Sequence, residues 1–118
     1  MMDFQTYLAL VDECKNYSSA EMLLAEYGYP PNCKLSADEL VRAFNIIWAV
    51  SEANVRRLAE LSCTKGYTTF CRKYGIPVRT GQRWIGADRN PPEYVVRLLG
   101  FAILSEEGEF YEEKRAST

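Results

Sequence analysis

Apolar residues recur at three- and four-residue intervals along most of this chain and almost never alternate one by one. The first spacing gathers them on one side of a helix, whereas a half-buried strand needs the second. Phe4, Tyr7, Leu8, Val11 and Cys14 predict a first helix ending near Asn16. Ser18-x-x-Glu21 has the form of a capping box, in which the two side chains satisfy orphan backbone donors. It predicts a short second helix through Met22, Leu23, Leu24 and Tyr27, closed by Gly28. Tyr29-Pro-Pro-Asn-Cys33 reads as a loop, because consecutive prolines bar a helix from continuing. Ser36-x-x-Glu39 then opens a helix carrying Leu40, Val41, Phe44, Ile47, Trp48 and Val50. Apolar on most of its circumference, that helix belongs in the centre of the molecule or in a dimer interface.

A break is expected between Ser51 and Asn54, with Ser51 either capping a new helix or interrupting a long one. Val55, Leu58, Ala59 and Leu61 then point inward, and Arg56, Arg57 and Glu60 outward. Thr64-Lys-Gly66 supplies a turn. From Tyr67 to Tyr74 a helix shares Phe70 and Tyr74 on one face, with small Cys71 allowing close packing. Gly75 ends it with a left-handed residue, Ile76 plugs the gap and Pro77 suits the first turn of the next helix. On that helix, about Pro77 to Gly86, Arg79, Gln82 and Arg83 share an outward face while Trp84 turns inward. Gly86 to Asn90 is a polar loop, and Asn90-Pro-Pro-Glu93 a helix start. Tyr94, Val95, Leu98, Leu99, Ala102 and Ile103 form the apolar face of the last helix. The polar residues from Ser105 are expected to fray, with Phe110 and Tyr111 as docking points. The chain therefore reads as an all-α helical bundle: an N-terminal helical extension (1–50), a helix-turn-helix domain (51–104) and a polar acidic tail (105–118).

With 118 residues, 47% of them apolar, the chain is long enough for a real core and too short for a large second domain. The longest apolar stretches, Phe44 to Val50 and Val95 to Leu104, are too short or interrupted to span a bilayer, and no export signal opens the chain. Cys14, Cys33, Cys63 and Cys71 lack C-x-x-C spacing and read as reduced core thiols in a cytoplasmic protein, not as a zinc site. The chain has no histidine, which removes Ser-His-Asp, Cys-His and His-metal chemistry. Asp12-Glu13 and Asp38-Glu39 are adjacent in sequence and so diverge on a helix, which suits solvated faces better than acid/base pairs. Neither G-x-G-x-x-G nor a P-loop is present. An enzyme, a metal and a cofactor are therefore not expected.

Charge is unevenly spread. The chain has a formal balance of −2, yet residues 63–104 hold seven basic and two acidic side chains. Residues 1–62 hold five basic against nine acidic, and 105–118 two against five. The cations thus gather in the segment with the two short helices, where phosphates would have to be met.

The succession NVRRLAELS, FCRKYGIPVRTGQRW and GADRNPPEYVVRLL, from Asn54 to about Ser105, resembles the phage-repressor/Cro-like (XRE-type) helix-turn-helix family. It is especially similar to small regulators of Gram-positive bacteria and their mobile elements, which carry F-x-x-x-x-G-I-P-x-R-T-x-Q-x-W followed by P-x-x-Y-x-x-x-L-L. The resemblance implies that the second helix of the motif enters the major groove of double-stranded DNA. Val78, Arg79, Gln82 and Arg83 then fall at base-reading positions: arginine pairs with guanine, glutamine with adenine and valine with a thymine methyl. Lys65, Tyr67, Thr68, Thr69 and Arg89 fall where phosphate contacts are expected. Phe70, Cys71, Ile76, Trp84, Tyr94 and Leu98 are expected in the core.

Gly81 departs from the family pattern, which usually buries an aliphatic side chain there. An interior glycine costs a helix about 1 kcal/mol relative to alanine, and the missing contact about 1 to 2 kcal/mol more. The expectation is a gap filled by Trp84 or an N-terminal side chain, or a loosely held helix. Two functions follow: a sequence-specific transcriptional regulator, dimeric on two half-sites, or a helix-turn-helix scaffold that binds protein through its acidic N-terminal half. An antitoxin or a phage-encoded inhibitor such as an anti-CRISPR is of the second kind.

Overall fold

A computed structural model describes residues 2–27, 36–62, 64–86 and 89–116, with side chains as far as residue 105. The expected Gly28 stop, the Tyr29 to Cys33 loop, Cys63 and part of the 86–90 loop lie outside the described residues, as do the side chains of Phe110 and Tyr111. Among the described residues every regular element is helical, so the all-α expectation holds. The elements are α1 (Phe4–Glu13) with a 3-10 turn at Cys14–Asn16, α2 (Ala20–Tyr27), α3 (Ala37–Ser51), α4 (Val55–Leu61), α5 (Tyr67–Lys73), α6 (Val78–Ile85) and α7 (Glu93–Ala116).

Local chemistry sets several of these boundaries. The Asp3 carboxylate accepts the Thr6 backbone N–H at 2.7 Å and so caps α1. Ser36 caps α3 through the Glu39 N–H. At α2 the capping serine is Ser19, which accepts the Met22 N–H at 3.2 Å. The expected Ser18 cap is one residue out of register, and its hydroxyl instead meets the Met22 sulfur. The break after α3 is real: Ala53 takes a left-handed φ of 52°, and Asn54, not Ser51, caps α4 through the Arg57 N–H. Helix α7 begins two residues later than its Asn90 signal, with the Pro92 carbonyl accepting from Val95 and Val96. Its backbone stays helical to Ala116, where fraying was expected. Those residues include good helix formers and no proline, and Gly108 alone does not stop the helix.

Helix α3 lies at the centre. Leu40, Ala43, Phe44, Ile46, Ile47, Ala49 and Val50 are all buried, and α1, α2, α4 and α7 pack around them. The Arg42 guanidinium also reaches the Leu61 carbonyl at the end of α4. One continuous core joins α1, α2 and α3 to Val55 and Leu58 of α4, Phe70 and Cys71 of α5, and Val96, Leu99 and Ile103 of α7.

Tyr94 and Leu98 are not in that core; they are 69% and 56% exposed. The inward face of α7 is Val96, Leu99, Gly100 and Ile103, at helical spacing but rotated from the predicted face. Gly100 decides this rotation. It is buried, and a β-carbon there would overlap Val50 Cγ2 and the Tyr7 hydroxyl, so α7 turns its smallest residue to the closest approach of α1 and α3. Tyr7 crosses that contact, donating its hydroxyl proton to the Arg97 carbonyl at 2.7 Å.

Two measurements test this packing. Gly100→Ala is expected to lower stability by about 1 to 3 kcal/mol in urea unfolding, outweighing a propensity gain of about 1 kcal/mol. Burial pushes the Tyr7 phenol well above its ordinary value of 10.0, with the Arg97 charge only partly opposing it. Below the ordinary phenol range both states hold the proton; above it only the native state does, so stability falls as pH rises. The urea midpoint should hold steady from neutral pH until near that range and then drop, less steeply in Tyr7→Phe.

Candidate nucleic-acid interface

Helices α5 and α6 are joined by a short turn, Tyr74 to Pro77. The turn works because Gly75 adopts φ 72°, which glycine alone takes without strain, and the Ile76 N–H returns to the Cys71 carbonyl at 2.8 Å. Pro77 precedes the first residue of α6, and its carbonyl accepts the Gly81 N–H at 2.9 Å. Phe70 and Cys71 are buried, while Ile76 and Trp84 are half-buried against the core.

The predicted defect at Gly81 is absent, because the two helices close over it. Gly81 is buried, and a β-carbon there would lie 2.5 Å from Cys71 Sγ and 3.3 Å from the Tyr67 hydroxyl. That hydroxyl donates to the Gly81 carbonyl at 2.7 Å, and the Tyr67 ring stacks on Phe70 at 5.9 Å. Neither Trp84 nor an N-terminal side chain is needed as filler; Tyr67 and Cys71 take the space. Burial pushes the Tyr67 phenol and the Cys71 thiol above their ordinary values, so both stay protonated near neutral pH. The single hydroxyl proton of Tyr67 is committed to Gly81, so the hydroxyl is not the donor for the phosphate contact that the resemblance implies at this position. A tyrosine at the start of α5 reaches inward here because the opposing residue on α6 has no side chain.

The remaining expected residues are distributed as follows. Arg79, Gln82 and Arg83 are exposed and line one strip of α6, with Thr80 exposed beside them. Val78 is half-buried and packs on the core, so only part of it faces outward. Lys65, Thr68 and Thr69 are exposed at the start of α5, and Arg72 and Lys73 at its end. Arg89 is exposed, and its N–H approaches the Arg83 carbonyl at 3.5 Å, which brings it back to the end of α6.

Two arginines change places relative to the charge reading. Arg97, counted with the basic segment, is held by Glu93 at 2.7 Å and Asp12 at 3.3 Å. The Glu93/Arg97 spacing of four was visible as a helical ion pair. Arg56, counted with the acidic half, is exposed on α4 close enough to Tyr67 for its charge to favour the phenolate, slightly offsetting burial. No local sequence pattern marks that proximity, because it arises from the packing of α4 on α5.

A separate cleft of about 510 Å³ opens between α1, the end of α3 and the start of α7, with Val11, Trp48 and Val96 among its walls. The Arg97 ion pairs border it. Among the described residues no group of three histidine, cysteine or carboxylate side chains is placed to hold a metal ion, and no helix is long and apolar enough to cross a membrane. The chain matches no family model, and neither a curated protein nor a solved structure matches it.

Gly81→Ala separates the two accounts of this helix. A gap would make alanine stabilising by about 1 kcal/mol through propensity; the close approach makes it destabilising by about 1 to 3 kcal/mol. In a double-mutant cycle Cys71→Ala should return part of that loss, whereas a gap would leave the two substitutions additive.

Proposed function

We propose that this chain is a sequence-specific DNA-binding regulator of transcription, of the repressor/Cro-like helix-turn-helix kind, acting in the cytoplasm as a homodimer. The observation that supports this most is the strip of Arg79, Gln82 and Arg83 on α6, exposed in front and held from behind by the Tyr67–Gly81 hydrogen bond. Base reading needs side chains free to enter a groove on a helix that does not shift, and this arrangement supplies both. Arginine presents two parallel donors to the O6 and N7 of guanine, and glutamine matches the donor and acceptor of adenine. Lys65, Thr68, Thr69, Arg72 and Arg89, all exposed, meet phosphates on either side and set the register. The cations lie beside the reading helix, so the net negative charge of the chain does not oppose docking there.

A second reading, in which the helix-turn-helix is a scaffold for protein binding, draws on α2. Met22 and Tyr27 stand exposed there beside Glu21 and Glu26, an apolar and acidic surface. The close packing at Gly81 removes the other ground for it, a weakened recognition helix.

Selection of DNA fragments by the purified protein, followed by competition binding, tests the proposal. Affinity should fall steeply between low and moderate salt, because counterions released from the DNA gain less entropy in a saltier solution. Arg79→Ala should cost about 1 to 3 kcal/mol and relax base preference, while Lys65→Ala should weaken all sequences alike. Equal affinity for selected and random duplexes at physiological salt would overturn the regulator. Loss of activity on reversing Glu21 and Glu26, with Arg79→Ala silent, would establish the scaffold instead.

A further inference from the structure

The cleft between α1, the end of α3 and the start of α7, about 510 Å³, has the size of a small-molecule site. Among the described residues none of its walls comes from α4, α5 or α6, so it stands apart from the candidate interface. Val11, Trp48, Val50 and Val96 give it an apolar lining, and half-buried Tyr17 adds a second aromatic side chain. Charge around the cleft is as selective as its shape. Asp12, Glu52 and Glu93 stand against Lys15 and Arg97, three carboxylates to two cations. Arg97 is already held by Asp12 and Glu93, which leaves Glu52 as the lining carboxylate without an ion pair among the described residues. Glu52 sits at the C-terminus of α3, where the helix dipole adds to its negative field.

We propose that this cleft binds a small organic cation, an ammonium group carried on an aromatic or branched apolar body. The body covers the valines of the lining and withdraws them from water. The ammonium is drawn to the negative end of α3, to the Glu52 carboxylate and to the indole of Trp48, the ring that attracts such a group most strongly. An anion of the same size meets three carboxylates and the same helix end, and a neutral ligand has only the apolar walls. Lys15 is exposed at the cleft and opposes a cation, so removing its charge should strengthen binding. Such a site goes beyond DNA recognition and does not depend on it.

Benzyltrimethylammonium, whose charge does not titrate, serves as the probe. The chain has two tryptophans, Trp48 in the cleft and Trp84 on α6, so their indole N–H resonances, assigned with Trp84→Phe, separate binding here from binding elsewhere. A saturating shift of Trp48 alone is expected, with a dissociation constant of about 1 mM for a ligand of about eleven heavy atoms. Glu52→Gln should raise that constant about two- to fivefold, the range of an exposed ion pair, and Lys15→Gln should lower it. Both positions are exposed, and circular dichroism should show an unchanged fold. 3-Phenylpropionate, an anion of similar size, should give no saturating shift. Absence of a saturating Trp48 shift up to about 20 mM, equal shifts at Trp84, anion binding as tight as that of the cation, or a constant indifferent to Glu52→Gln would each overturn the proposal.

Discussion

Seven side chains of α3 are withdrawn from water, and each needs a neighbour to face. Full burial of a leucine, isoleucine or phenylalanine is worth about 1.5 to 3 kcal/mol, and a helix that is apolar nearly all round gains this only when surrounded. Helices α1, α2, α4 and α7 supply the surrounding surfaces. The order of the chain follows from this requirement: the first two helices and the last close over the same central rod. The N-terminal residues therefore do more than precede the candidate interface. Through α3 they support α4, on which α5 and α6 rest.

Close approach between helices is the second constraint, and two glycines carry it. At Gly100 the chain brings α7 against Val50 and Tyr7; at Gly81 it brings α6 against Cys71 and Tyr67. In both places a tyrosine hydroxyl donates to a backbone carbonyl across the contact, at 2.7 Å. Those bonds give buried phenols the partners they require and fix the opposing helix. At α6 the consequence bears on the proposed function: the inner side of the helix is held by a tyrosine, a thiol and its own backbone carbonyl in place of an aliphatic plug, which keeps the exposed strip of Arg79, Gln82 and Arg83 in one place.

Helix α7 shows how one sequence pattern supports two different faces. Tyr94, Val95, Leu98, Leu99, Ala102 and Ile103 span a wide apolar arc, and periodicity alone allows its centre to fall on either side. Gly100 has no apolar side chain to add to such a pattern, yet its lack of a β-carbon sets which side meets α1 and α3. With Gly100 inward, Leu99 and Ile103 are buried and Tyr94 and Leu98 face outward.

Helix number, approximate limits, the Gly75 turn, the buried character of α3 and the exposed strip of Arg79, Gln82 and Arg83 follow from the sequence by itself. Each is a matter of local spacing, capping or turn chemistry, which acts between residues a few positions apart. The rotation of α7, the closing of Tyr67 and Cys71 over Gly81, the capture of Arg97 by Asp12 and the place of Arg56 beside α5 were decided only by the tertiary structure. They depend on which surfaces meet across tens of residues, and an absent side chain leaves no mark in a hydrophobic pattern until a neighbour is seen to occupy its space.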